Sequence, residues 1–150
     1  MAAFDLASWS TQLADIIAVE LRSLDARTDG RVLAIAVDCT PWHADVLSLS
    51  AATDADEPLS IEEWDLAAWR LHSFPRSDSG AWPRAAALSA AANAHYRVIE
   101  SGARAAFRDD LCEACARALV RAAAGNWTCL LYAGHPDRPQ QNFVGAARPA

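Results

Sequence analysis

Two pairs of residues have types and spacing suited to chemistry: Cys112 and Cys115 in LCEACARAL, and Cys39 and His43 in CTPWH. Together they would supply three sulfurs and an imidazole, a donor set that closes a tetrahedral zinc site. A Cys-x-x-Cys pair also suits redox exchange, provided one thiol is held as an accessible thiolate. Helical periodicity favours a plainer role. Phe107, Leu111, Ala114, Ala118 and Ala122 fall on one helical face, with Cys115 beside it and Cys112 further round near Leu119. Packing is therefore the expected role of both cysteines. Zinc at Cys39, His43, Cys112 and Cys115 is the minority alternative, because no glycine-rich knuckle surrounds either pair. A competing register restarts the helix at an Asp110 cap, which would bring both thiols near N-terminal amides. Asp109, Asp110 and Glu113 would then oppose the thiolate. Cys129, in WTCLLY, reads as a buried strand residue.

Other reactive types lack the company that catalysis requires. No Gly-x-Ser-x-Gly elbow surrounds a serine, no glycine-rich phosphate loop is present, and the four histidines form no pair on one helix turn. Glu62, Glu63 and Asp65 are neighbours, whereas acid/base catalysis needs carboxylates opposed across a substrate. They read as a solvated surface. No catalytic residue and no cofactor is expected. The tryptophans are more suggestive of binding. Trp9, Trp64 and Trp127 fit apolar faces or a strand start, while Trp42, Trp69 and Trp82 lie near turns, where part of each ring is expected to be exposed. A large aromatic ringed by charge is a suitable interface anchor, so the expected partner surface is Glu62, Glu63, Asp65, Trp69, Arg70 and His72.

The elements that must position these residues follow from pattern. Trp9, Leu13, Ile16, Leu21 and Leu24 recur at helical spacing, with Ile17 widening the stripe and Gly30 beyond the polar end. RVLAIAVDC and ADVLSLSA read as strands, and CTPWH between them allows an antiparallel hairpin. Leu59, Ser60, Glu63 and Trp64 have the spacing of a capping box with a hydrophobic staple, which predicts a short helical turn. AAWRLHSF alternates as a third strand would, ending before Pro75. Pro83 opens a long helix through RAAALSAAANAHYRVIESG, a second one runs to Gly125, and WTCLLYAG is the last strand. The tail from about residue 134 is proline-rich and irregular. These elements make one two-layer α+β domain, with an N-terminal helix, a small mainly antiparallel sheet and two long later helices.

At 150 residues the chain can bury a core without staples, and 53% hydrophobic composition argues against disorder. A formal charge of -6 and a pI near 5.0 provide no electrostatic footprint for nucleic acid or anionic membrane and favour a basic partner. No apolar run approaches the roughly 20 residues of a membrane span, and no secretory leader pattern opens the chain, so a cytoplasmic location with free thiols is expected.

The order of RVLAIAVDC, IEEWDLAAWRLHSF and LCEACARALVRAAAGNWTCLLYAG resembles small bacterial α+β domains, some of them associated with toxin-immunity systems. That resemblance implies an acidic, non-enzymatic protein that binds and neutralises a partner, and it transfers no site residue. The expectation is a cytoplasmic protein-binding module. A small metal-binding protein or enzyme and a structural subunit of a homo-oligomer are the alternatives.

Overall fold

The computed structural model describes residues 3–56 and 66–147. Helix α1 (Leu6–Arg22) starts where Asp5 accepts a 2.9 Å hydrogen bond from the Ser8 amide, satisfying one of the donors that a helix start leaves open. Its buried face is Trp9, Leu13, Ala14, Ile17 and Leu21, and the stripe continues to Leu24 in a short 3-10 turn. Each fully buried Leu or Ile on this face contributes about 1.5–3 kcal/mol of burial free energy. Two polar groups on the same side are paired. Ser10 Oγ donates to Ala114 O at 2.8 Å, and the buried Glu20 meets Arg84 at 2.8 Å.

Strand β1 (Val32–Cys39) lies in the middle of a three-stranded sheet of order β2-β1-β3. Strand β2 (Leu47–Thr53) returns antiparallel to it, forming the expected hairpin. The chain then passes through helix α2 (Ala86–Val98) and helix α3 (Arg104–Ala123) before strand β3 (Leu130–Gly134) joins the other side of β1 in parallel. A long helical connection permits that direction, so the small sheet is mixed, with one antiparallel and one parallel pairing. A short helix α4, Val144–Ala147, follows. The architecture is α+β, with an N-terminal helix, a small sheet and two long later helices.

Alternation along the strands separates two cores. Ile35, Val37, Cys39, Leu49, Ala51, Leu131 and Ala133 pack with the buried faces of α1 and α3. On the other face, Ala34, Ala36 and Ala52 carry small side chains beneath Leu66, Trp69 and Tyr132. Small residues under the Trp69 ring let the segment AAWRLHSF, residues 67–74, lie close to the sheet.

That segment is not the third strand its alternation predicts. It makes one isolated bridge, Ala51 to Leu71, and one further backbone bond, Phe74 N–H to Leu49 O at 3.1 Å. Between them Ser73 takes a left-handed φ of 48° and donates its N–H to Ser50 Oγ at 2.9 Å, which turns the chain out of register for a ladder. The strap still covers the β2 edge. The β3 edge is covered by Asn142, whose side chain accepts from Ala133 N–H at 3.1 Å and donates to Leu131 O at 2.9 Å, while Phe143 N–H donates to Ala133 O. Both outer edges are thereby occupied by the chain itself, a protection against edge-to-edge association.

Helix α3 runs unbroken through Asp109 and Asp110, so the restart at Asp110 does not occur. It is preceded by a 3-10 turn at Ser101–Ala103, and α2 stops at Val98, short of Gly102. Gly125, with φ of 80°, supplies the left-handed stop after α3. Cys129 precedes β3 and is only part-buried, because the strand starts one residue later. The capping sequence Ser60 to Trp64 lies outside the described residues.

Candidate functional site

The parallel pair β1 and β3 ends with Asp38 opposite Gly134, and Cys39 and His135 follow. In sheets with parallel strands, the region beyond the carboxyl ends is where ligand clefts form. Four groups of side chains meet around this end.

The first is the thiol cluster. Cys39 ends β1 and reaches α3, where its thiol hydrogen-bonds with both Cys112 and Cys115, and all three are fully buried. The bond to Cys112 favours the Cys39 thiolate, but the bond with Cys115, burial and Asp38 outweigh it and hold the Cys39 thiol well above its ordinary value. Cys112 is raised by its bond to Cys39 and by burial, and Cys115 by burial above all. Protonated, buried thiols are packing groups with little nucleophilic character. His43 does not join them. It is exposed on the β1–β2 loop, with its ring against Trp42 at 6.1 Å. Among the described residues no group of three or more His, Cys, Asp and Glu is placed to hold a metal ion, so Cys39, His43, Cys112 and Cys115 do not form the zinc set.

The second group is acidic. Burial pushes the Asp38 carboxyl up to about 6, the charge of Asp137 adds to this, and the Cys39 backbone N–H partly offsets it. Tyr132 shares the sheet face of Asp38, and burial followed by the Asp38 charge raises its phenol. Gly134 is required beside it, because a Cβ there would come within 2.7 Å of Tyr132 Oη and 2.9 Å of Gln141 O.

The third is His135, fully buried, with neither ring nitrogen hydrogen-bonded among the described residues. Burial lowers its pKa, with Arg108 acting in the same direction and the charges of Asp137 and Asp109 opposing it. The ring of Trp42 stands edge-on to it, centroids 6.0 Å apart.

The fourth is an open cleft of about 450 Å³ on the outer side of Trp42, lined by Trp42, Ala44, Asn93, Tyr96, Arg97 and Arg104. Asn93, on α2, clamps the β1–β2 loop by donating to Pro41 O at 2.9 Å and His43 O at 3.0 Å, which fixes Trp42 as one wall. Tyr96 forms the floor, 6.4 Å from the Trp42 ring. Arg104, the first residue of α3, lies over Tyr96 at 5.3 Å and donates to Tyr96 O and Arg97 O, so the guanidinium also satisfies the end of α2. Arg97 is exposed at the rim and makes no ion pair among the described residues. The cleft thus combines two guanidinium groups with two aromatic faces, and among the described residues no carboxylate lines it.

The sequence-predicted partner surface is described only at Trp69, Arg70 and His72. Glu62, Glu63 and Asp65 lie outside the described residues. Trp69 is only 8% exposed, in the smaller core against Ala34, Ala36 and Ala52, so its ring is a packing group of the sheet face and not a free anchor. Arg70 is exposed and its backbone N–H donates to Asp56 Oδ1 at 3.1 Å, while His72 is half-buried with Nδ1 3.4 Å from Ser50 Oγ. Trp82, at 3% exposure, is also core. Of the three tryptophans expected to be partly exposed, Trp42 is the one that is. Tyr96, Arg97 and Arg104 were not singled out by sequence, although basic residues flanking a helix end were a usable signal.

No family model matches this chain, and no curated protein or solved structure matches it either. Among the described residues no helix is long and apolar enough to cross a membrane.

Proposed function

We propose that this chain is a non-enzymatic protein-binding module and that the Trp42–Tyr96–Arg97–Arg104 cleft is its recognition site. The observation that carries the reading is the lining of the cleft: half-buried aromatic rings beside an arginine that makes no ion pair among the described residues, on a wall that Asn93 holds in place. Tyr, Trp and Arg are the residue types that dominate binding energy at protein interfaces, and a fixed wall reduces the entropy lost on association. The protonated thiols nearby support a structural function for the neighbouring helix. The net charge of -6 favours a partner whose surface is basic overall. Neutralisation of a toxin-like protein is the form of binding that the resemblance suggests, in a cytoplasmic setting.

The test is quantitative affinity capture from cells that carry the protein, comparing the wild type with Arg97→Glu and with Arg70→Glu. Reversing a charge inside the site should lower capture of a specific partner by tenfold or more, about 1.4 kcal/mol, whereas Arg70→Glu should change it little. Equal capture by wild type and Arg97→Glu would contradict the assignment.

A further inference from the structure

We infer that the group this cleft takes is the C-terminal carboxylate of a partner protein, with the last side chain of that partner against Trp42. The inference rests on the cleft being the recognition site and names the chemistry it recognises.

Four observations point there. The Arg104 guanidinium is held by stacking on Tyr96 and by hydrogen bonds from Nε to Tyr96 O and from Nη2 to Arg97 O. Its Nη1 donors are not used in either of these bonds. A planar fork held in one orientation matches a carboxylate, and little side-chain freedom is lost on binding. Arg97, seven residues away and exposed at the same cleft, supplies a second guanidinium. The aromatic wall of Trp42 then provides an apolar surface beside the charged rim. A volume of about 450 Å³ accommodates one large side chain with its carboxylate, near the small end of ligand sites.

Overall charge selects the source of that carboxylate. A protein of net charge -6 repels a segment rich in Asp or Glu. A neutral or basic partner still presents one carboxylate at its chain end, and capture of that group is an established way of recognising a peptide terminus. Two carbonyls at the α2 C-terminus, Tyr96 O and Arg97 O, are already engaged by Arg104, which offsets part of the repulsion that this helix end would exert on an anion.

The probes are N-acetyl-Gly-Phe as the free acid, the same dipeptide as its amide, an N-acetyl-Gly-Asp-Gly amide that carries a side-chain carboxylate, and inorganic phosphate. Each is titrated into the isotope-labelled full chain, following the Trp42 indole N–H and the Arg97 and Arg104 side-chain Nε–H resonances. The expected result is saturable shifts of all three with the free acid, binding weaker by about tenfold or more for the amide and for the internal Asp peptide, and a similar loss with Arg97→Gln. Because Arg97 is exposed, Arg97→Gln should leave the fold intact, and an unchanged spectrum elsewhere verifies this. Equal binding of acid and amide, a preference for the internal Asp peptide, stronger binding of inorganic phosphate than of the free acid, or no shift at Trp42 would overturn the inference. If capture of the natural partner still depends on Arg97 under any of those outcomes, the cleft remains the recognition site and the carboxylate terminus is wrong. If that dependence is also absent, both fail.

Discussion

Asp38→Asn should raise the stability of this protein, with an effect that appears only as the pH rises. Asp38 lies at the carboxyl end of β1, mostly out of solvent, and its carboxyl is pushed from an ordinary value of 3.8 to about 6. Below about pH 4 the group is protonated in both folded and unfolded chains and contributes no difference. Between about pH 4 and 6 the unfolded chain loses this proton more readily, so the folded state is progressively disfavoured as pH rises. Above about pH 6 the penalty is complete. A displacement of about two pH units, at about 1.4 kcal/mol each, gives about 3 kcal/mol. Asparagine removes the charge and retains an acceptor for the Cys39 amide. The assay is urea unfolding of both proteins across about pH 4 to 7.5, taking the difference at each pH so that other titrations cancel. The variant should be favoured increasingly over that window, by up to about 3 kcal/mol, and Asp137→Asn should recover a smaller part of it. A difference that stays constant with pH, or that favours the wild type as pH rises, would refute the reasoning.

Two further outcomes follow from the packing. An aromatic disulfide reagent should modify Cys129 ahead of the other thiols of the native protein, and all four after denaturation, since Cys129 is part-buried with its thiol raised by burial whereas Cys39, Cys112 and Cys115 are fully buried; modification of any of those three as fast as Cys129 would show that the cluster is open. Asn142→Ala removes side-chain hydrogen bonds with Leu131, Ala133 and Val144 along the β3 edge and should cost about 1–3 kcal/mol in denaturant unfolding, with faster amide exchange at Ala133 than at Val37.

Periodicity was a sound guide wherever an element buries one face. The stripe from Trp9 to Leu24, the antiparallel hairpin of RVLAIAVDC and ADVLSLSA, and the placing of Cys115 beside the α3 core all correspond to the observed packing. It failed where a local feature outside the periodic pattern decides the path. The residues Trp69 to Phe74 alternate, yet the left-handed Ser73 and its bond to Ser50 turn them into a strap, and the same strap takes Trp69 into the core. The parallel placement of β3 depends on the helical connection and could not be read from WTCLLYAG. The site was harder still, because Trp42 comes from a loop, Tyr96 and Arg97 from the end of one helix, and Arg104 from the start of the next. Their meeting depends on how α2 lies against the β1–β2 loop, which the two hydrogen bonds of Asn93 fix and no spacing in the sequence encodes. Of the two pairs, only Cys39 reaches Cys112 and Cys115 while His43 stays exposed, and the three thiols are part of the packed interior, the role that helical periodicity favours for Cys112 and Cys115.

The central claim, that recognition occurs at the Trp42–Arg104 cleft, is tested most directly by photo-crosslinking in the cells that carry the protein. A photoreactive phenylalanine derivative is placed at Ala44 in the cleft wall and, in a second variant, at Arg70 on the strap. A discrete adduct with one protein from position 44, lost when Arg97→Glu is added, and none from position 70 is the predicted result. A discrete adduct from position 70 with none from position 44 would contradict it.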